Sequence, residues 1–348
     1  MVEHLAARPD VSLVAYAVTA NRRLGPGLGL PPGVGLRVTG APARMLFPAW
    51  RRAPSPRIDR WTGPVDVVHG TNFVVPPTRA AALVTVHDLT FLRQPELVSA
   101  ASRQYAGLLH AAVRRGATVH VFSDTVRDEA VALLGCPRDR VVRIHPGIAA
   151  TEAGDAAAGR RLAGTDRYVL ALGTVEPRKN YPRLVAAFDQ VAGSDPEVRL
   201  VIAGGDGWGV DAFTEAVAAA AHGDRVTRLG YVSDDDRRDL LAGAAALAYP
   251  SLDEGFGHPP LEAMRAGIPV VAARAGSLPE VLGDAALLVD PESVGALADA
   301  LTTVLTDASL RDRLVTAGHA QAERYSWGSA VGALVDCYRV LAGRRVGR

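Results

Sequence analysis

Short valine-rich apolar runs recur along the chain, each closed by turn residues and followed by an Ala/Leu-rich stretch of helical period. In the first half they are "VSLVAYAV" (11–18), "VDVVHG" (65–70), "ALVTVHDL" (82–89), "ATVHVFSD" (117–124) and "VVRIHPGI" (141–148). A second series follows with "YVLALGTV" (168–175), "RLVIAGGDG" (199–207), "VTRLGYV" (226–232), "ALAYPS" (246–251), "IPVVAA" (268–273) and "AALLVD" (285–290). Short apolar runs bounded by turns predict buried strands, and their alternation with helical stretches predicts parallel sheets covered by helices. Two such series predict two doubly wound α/β domains facing each other across a cleft, with ligand-binding loops at the carboxyl ends of the strands. The passage "GIAATEAGDAAAGRRLAGTD" (147–166) has no strand pattern and reads as the linker. The expected domains are therefore 1–148 and 149–325, followed by a terminal amphipathic helix in 326–348.

Two segments break the pattern. Residues 21–64, with "NRRLGPGLGLPPGVG" and "RRAPSPRIDRWTGP", are crowded with Gly, Pro and Arg and predict mobile loops with one or two short strands. Arg44, Arg51, Arg52, Arg57 and Arg60 have only Asp59 as an acid there. They read either as solvated loop arginines or as a basic patch for anionic lipid or a phosphate-bearing acceptor. The opening "MVEHLAARPDV" looks like the tail of a helix, whereas a doubly wound domain opens with a strand and a Gly-rich turn. The first strand of the N-terminal domain is thus expected to be missing.

Composition narrows the class. A chain of 348 residues is long for one core, and 48% hydrophobic residues with a formal net charge of +1 describe a globular protein, not a disordered or nucleic-acid-coating one. Cys136 and Cys337 form no zinc or disulfide spacing. No apolar run is long enough to span a bilayer, and the start does not read as a signal peptide, so a cytoplasmic location is expected.

The candidate chemistry lies in "SLDEGFGHPPLEAM" (251–264), which brings Glu254 and Glu262 to either side of a Gly/Pro-rich turn. A strand, a loop and a helix with prolines in its first turn are predicted, with Gly267 ending the helix. The free N–H groups of a helix start suit a phosphate or sugar oxygen, whereas the carboxylates suit hydroxyls. A ligand with hydroxyls at both ends and phosphates between them is a nucleotide-sugar. Counter-charge comes from "LGTVEPRKN" (172–180), where the strand ends at Gly173 and Arg178 and Lys179 stand at the next helix start. Two adjacent cations there would replace a divalent metal; the plainer reading is a solvated basic helix start.

Together "EGFGHPPLEAMRAGIPVV", with its Glu-x7-Glu frame, "EPRKN", "AGGDG", "HGTNFVVPP" and "VTVHDLTFLRQPE" resemble a retaining glycosyltransferase of family 4 with the GT-B fold, mannosyltransferase-like members in particular. The resemblance runs from about residue 1 to 340 and is most specific over 168–290. It implies that Glu262 binds ribose hydroxyls, Glu254 the transferred sugar, and Arg178 and Lys179 the diphosphate. Backbone amides of Gly255, Phe256 and Gly257 would complete the phosphate site, and His87 would approach the sugar from the other domain, with Asp88 beside it. The base would be read by backbone groups around Tyr231 and Val232, and the terminal helix would return to brace the N-terminal domain. The chain departs from the family at Thr174, where many relatives carry Arg, at His258, where Leu is frequent, and in its missing first strand and Gly-rich loop.

Other signals are weaker. "SDDDRRDLL" (233–241) reads as Ser233 capping a helix with acids in its first turn, not as a metal site. "GGDGWG" (204–209) reads as a tight turn, and His69, His110, His120, His145 and His222 show no ligand spacing. Glu280 is open between a helix-start carboxylate and a substrate contact. With no nucleophile evident beneath the anomeric carbon, a front-face route is favoured. The expected function is metal- and cofactor-independent, retaining transfer of a hexose from a nucleoside-diphosphate sugar, mannose being the first choice, to a glycan or lipid-linked hydroxyl, with peripheral attachment to the inner membrane face as a further expectation. No nucleic-acid partner is expected. The rival readings are a non-catalytic nucleotide-sugar-binding scaffold and a same-fold epimerase or phosphorylase.

Overall fold

A computed structural model describes residues 1–21, 23, 28–149 and 153–346. The chain forms two compact units: 1–92 with 100–147 and 326–348, and 93–99 with 148–325.

In the second unit β7 (Tyr168–Leu172), β8 (Arg199–Ala203), β9 (Val226–Gly230), β10 (Ala246–Tyr249), β11 (Val270–Ala273) and β12 (Leu287–Val289) form one parallel sheet in the order β12-β11-β10-β7-β8-β9. Every residue of β7, β10 and β11 is buried, as befits strands covered on both faces. Leu184, Phe188 and Val191 of the helix Tyr181–Ser194, spaced four and three apart, pack on the sheet together with Leu297, Leu301 and Val304 of the helix Val294–Thr306. The strand order reverses between β7 and β10. Loops leaving these two neighbours diverge, and that crevice is where an open parallel sheet receives its ligand.

The first unit holds β1 (Val14–Ala17) paired with β2 (Gly35–Val38), and a separate sheet of β3 (Val67–Gly70), β4 (Ala81–Val86), β5 (Thr118–Val121) and β6 (Val141–Arg143), all parallel. A five-residue helix α1 (Val2–Ala6) precedes β1, and among the described residues no strand links β1 to β3. The terminal helix Trp327–Val346 belongs to this unit, with Val331, Leu334 and Val335 buried against Leu5, Leu83 and Ile144. His69 is partly buried and His120 is buried. They lie in a chain of hydrogen bonds from Tyr338 Oη to His69 Nδ1 (2.7 Å), His69 Nε2 to Thr85 Oγ1 (2.7 Å), Thr85 Oγ1 to His120 Nδ1 (2.9 Å), and His120 Nε2 to the Ile144 carbonyl (3.0 Å).

Two expectations are corrected. Residues 43–52, expected as loop, form the helix α2 (Ala43–Arg52); Leu46 and Trp50, four apart, bury one face against Leu108, and the Trp50 indole N–H donates to the Pro56 carbonyl at 2.9 Å. Residues 22 and 24–27 of that basic segment lie outside the described residues. The expected linker contains the helix Ala156–Ala163, capped by Asp155, which accepts from the Ala157 N–H at 2.8 Å, and ended by Gly164 at φ 68°. It packs so closely on the helix Asp234–Gly243 that a Cβ on Gly159 would lie 1.9 Å from the Asp239 carbonyl oxygen.

Candidate active site

The loops leaving β7 and β10 build the site. After β7 the backbone turns at Gly173 with φ 142°, where a Cβ would lie 3.0 Å from Lys179 Cε and 3.3 Å from the Tyr181 hydroxyl. Glycine here lets the cation fold back over its own strand end. A single 3-10 turn, Pro177–Lys179, follows, closed by Asn180 at φ 59°. The Asn180 amide donates to the carbonyls of Pro250 (3.1 Å) and Pro291 (2.8 Å), and the Leu252 N–H donates to the Arg178 carbonyl (2.8 Å). These bonds stitch the β7 loop to the β10 loop, so Arg178 and Lys179 meet Glu254 by construction.

Lys179 Nζ lies 2.6 Å from Glu254 Oε1 and 2.8 Å from the Tyr249 hydroxyl, which itself donates to Glu254 Oε1 at 2.8 Å. Arg178 Nη1 lies 2.8 Å from Glu254 Oε2 and donates to the Asp253 carbonyl at 3.0 Å, while Nη2 bonds Glu176 Oε1 at 2.7 Å. Lys179 and Glu254 are 7% and 9% exposed, so these ion pairs are largely withdrawn from water. Burial would raise the Glu254 carboxyl, but the Lys179 ammonium and the Arg178 guanidinium outweigh it and hold it at about 2. Burial likewise pulls the Lys179 ammonium down, with Glu254 opposing. The ammonium also stands 4.7 Å from the centre of the Tyr249 ring.

Ser277 fixes the backbone of Glu254: its N–H (2.8 Å) and its hydroxyl (2.9 Å) both donate to the Glu254 carbonyl. Beyond it, Gly257 adopts φ 101° as the cap of the helix His258–Arg265, which has Pro in its first turn as expected. Gly255, Phe256 and Gly257 form the bend at that helix start, with the Phe256 ring edge-on to His258 (5.1 Å) and Tyr325 (5.3 Å). Glu262 lies one turn into the helix. Its Oε2 pairs with Arg237 Nη1 at 2.8 Å, and burial raises its carboxyl while Arg237 opposes.

The remaining sequence candidates fall elsewhere. His87 and Asp88 belong to the first unit, in the loop after β4. His87 Nε2–H donates to the Thr71 carbonyl (3.0 Å), burial lowers its pKa, and Phe73 and Phe122 pack edge-on to the ring. Asp88 accepts from the Thr90 N–H at 3.1 Å. Tyr231 and Val232 follow β9, with the Tyr231 side chain exposed. Glu280 is exposed in the first turn of the helix Leu278–Leu282. Ser233 caps the helix Asp234–Gly243, accepting from the Asp236 N–H at 3.1 Å. Tyr249, Asp253, Asn180 and Arg237 were not singled out in the sequence. Asp253 is almost wholly buried and ion-paired with Arg93. The signal for Tyr249 was available, because a tyrosine ending a buried strand beside a cation loop needs a partner for its hydroxyl.

A buried carboxylate held by two cations thus lies at the switch point of the second unit's parallel sheet, where sheets of this kind receive their ligands. The model for "Glycosyl transferases group 1" matches residues 156–321, and that for a "Glycosyl transferase 4-like domain" matches 1–147. The O-antigen chain mannosyltransferase B of Escherichia coli is 33% identical over 284 residues, 79% of this chain and 74% of its own length. Other curated relatives are spanned over smaller shares of their length, down to 29%. Among solved structures, the sucrose-phosphate synthase of Thermosynechococcus elongatus superimposes with a TM-score of 0.79 at 20% identity, covering 99% of this chain and 92% of that one. The Anabaena HepE complex with UDP and glucose does so with a TM-score of 0.65 at 19% identity, covering 88% and 87%. The chain belongs to the group 1 glycosyltransferases and has the GT-B architecture of two Rossmann-like domains. It is a sugar-transferring enzyme.

Proposed function

We propose that this glycosyltransferase moves a hexose, mannose first among hexoses, from a nucleoside-diphosphate sugar to a hydroxyl of a cell-envelope glycan or lipid-linked acceptor, with retention at the anomeric carbon and without a divalent metal. The observation that carries the reading is the buried group of Glu254, Lys179, Arg178 and Tyr249 at the ends of β7 and β10. Mannose and the glycan acceptor are supported by the likeness to the O-antigen mannosyltransferase.

An ammonium has three hydrogens, and Lys179 spends one on Tyr249 and one on Glu254, leaving one for a phosphate oxygen. Two fixed cations supply the charge that a metal would otherwise bring to a leaving diphosphate. A carboxylate offers about four lone-pair sites. Lys179 and Tyr249 take two on Oε1 and Arg178 one on Oε2, which leaves one for a sugar hydroxyl and fixes its direction. On Glu262, Arg237 holds Oε2, and Oε1 is available to a ribose hydroxyl. With its Nε2–H committed to Thr71, neutral His87 keeps the Nδ1 lone pair for a hydroxyl proton.

Retention follows a front-face course. The bond from the anomeric carbon to the β-phosphate oxygen breaks, the bond to the acceptor oxygen forms on the same face, and the acceptor proton passes to the departing phosphate. Arg178 and Lys179 stabilise the charge that grows on that phosphate. The basic face of α2, with exposed Arg44, Arg51 and Arg52, and the exposed Arg57 and Arg60 beyond it, supports reversible attachment to an anionic membrane surface; among the described residues none of the five pairs with a carboxylate. No helix among the described residues is long and apolar enough to cross a membrane.

Isothermal titration with GDP, UDP and ADP, in magnesium and in EDTA, tests the reading. GDP is expected to bind equally in both buffers and to lose affinity in Glu262→Ala. Binding that requires magnesium, or no binding of any nucleotide, would overturn it.

A further inference from the structure

A cavity of about 490 Å3 opens on the first unit, lined by Ser55, Arg57, Asp59, Arg60 and Arg79, with Pro54 and Pro56 in its wall. Backbone bonds bring its two stretches of chain together. The Ile58 N–H donates to the Pro77 carbonyl (2.8 Å), and Asp59 accepts from the Thr78 hydroxyl (3.0 Å) and the Arg79 N–H (3.1 Å). The wall is stiff, because each proline fixes its own φ, the Ile58 side chain is wholly buried and the buried Trp50 indole holds the Pro56 carbonyl. Three arginines are therefore placed around one cavity by the fold, not by partners of their own.

Among the described residues, none of the guanidinium groups of Arg57, Arg60 and Arg79 makes a hydrogen bond or an ion pair, and neither does the Ser55 hydroxyl. Arginines close by in the same unit do find acceptors: Arg115 Nη1 donates to the Trp50 carbonyl (2.7 Å) and Arg140 Nη1 to the Val113 carbonyl (3.3 Å). Arg60 lies 6.0 Å from the centre of the Trp61 ring, a contact that supplies no anion. Asp59 is the one carboxylate in the lining, and it is spent on the turn at 78–79. Like charges gathered without counter-charge repel, and a bound anion relieves them. A carboxylate offers two oxygens to such a group. A phosphomonoester offers three and carries close to two negative charges at neutral pH, which suits three planar forks of N–H donors.

The cavity stands apart from the end of the sheet at which reactants are received. Asp59 precedes β3 and Arg79 precedes β4, so it lies at the amino ends of these strands. The six residues of β4, roughly 20 Å, separate it from the loop that carries His87.

We infer that Arg57, Arg60 and Arg79 form an anion site that takes the phosphate dianion of a phosphomonoester, carried on a lipid headgroup or on a soluble compound. Where the carrier is a lipid, this deepens the membrane attachment proposed above; the phosphate chemistry stands without it.

The test titrates the 1–348 chain and its Arg57→Gln/Arg79→Gln variant with glycerol 3-phosphate at constant ionic strength, following the amide resonances of Ser55, Arg57, Arg60 and Arg79. Saturable shifts are expected at pH 7.5, with a Kd at least about tenfold weaker in the variant. At pH 5 binding should be about tenfold weaker, because the second phosphate proton, with a pKa of about 6, is then back in place. Dimethyl phosphate, a singly charged diester, should not saturate these shifts. No saturable shift, equal affinity in the variant, or an equal response to the diester would overturn the inference. Sedimentation with phosphatidylcholine vesicles containing phosphatidic acid, or phosphatidylglycerol at matched surface charge, separates the carriers. Stronger retention on phosphatidic acid, lost in the variant, assigns the phosphate to a lipid headgroup. Equal retention on both, with glycerol 3-phosphate still bound, assigns it to a soluble compound. Retention on vesicles by a chain that ignores glycerol 3-phosphate would leave membrane attachment standing and overturn the site.

Discussion

Replacing Glu254 with Gln removes one negative charge from between two buried cations while nearly keeping the side chain's shape. In the folded chain that carboxyl sits at about 2 against an ordinary 4.5. At about 1.4 kcal/mol per pH unit, the charged carboxylate contributes about 3 kcal/mol to the folded state at neutral pH. Deleting one partner of a buried pair costs about 3–5 kcal/mol, the same range reached independently. Because the folded pKa is depressed, this contribution is fully present above 4.5 and is lost as the pH falls through about 2. The stability gap between wild type and Glu254→Gln should therefore be flat near neutrality and narrow only in acid. Amide exchange in β7 and β10 is the suitable assay, since a two-domain chain does not unfold in one step. A loss of about 3 kcal/mol appears as roughly 100-fold faster exchange at pH 7. Adding Lys179→Met to the variant should recover part of the loss, because the ammonium is then no longer stranded. Exchange within about threefold of wild type would show that the pair does not hold these strands together, and the reasoning would fail.

Lys179→Ala should lower kcat by roughly 30- to 800-fold, about 2–4 kcal/mol, with a smaller change in donor KM, as measured by steady-state transfer from GDP-mannose. Gly173→Ala places a methyl 3.0 Å from Lys179 Cε at φ 142°. A backbone strain of about 1–3 kcal/mol and a kcat at least about tenfold lower are expected, and wild-type kinetics would show that the β7 turn tolerates a side chain. Sedimentation with vesicles containing anionic lipid should retain wild type at low salt and release it as salt rises. Neutralising Arg44, Arg51 and Arg52 should reduce that retention by about 1 kcal/mol per charge, and equal retention would remove the arginine face from membrane attachment.

Much of the second unit was legible because its strands are buried on both faces and read as unbroken apolar runs; β7 and β10 came directly from "YVLAL" and "ALAY". The helix α2 was not legible, since Pro48 and the flanking arginines mask the spacing of Leu46 and Trp50, and only packing against Leu108 reveals it. The helix Ala156–Ala163 was hidden by its one glycine, Gly159, and by Gly154 and Gly164 on either side; Gly159 is there because the backbone of a neighbouring helix leaves no room for a side chain. In the site, residue types were legible and partners were not. The sequence put Arg178, Lys179 and Glu254 at loop ends, but their closure into one hydrogen-bonded group depends on Asn180 and Leu252 tying two loops together over some seventy residues of chain. Arg237 on Glu262 was invisible for the same reason, being 25 positions away.

The terminal helix Trp327–Val346 buries its apolar residues among those of α1 and β4, far back along the chain. A ribosome would therefore release the first unit's amino-terminal sheets long before the helix that completes their core has been made. Any shuffling of the two units between relatives has to move residues 326–348 together with the first 147, because a crossover placed only at the midpoint leaves Leu5, Leu83 and Ile144 packed against a stranger's helix.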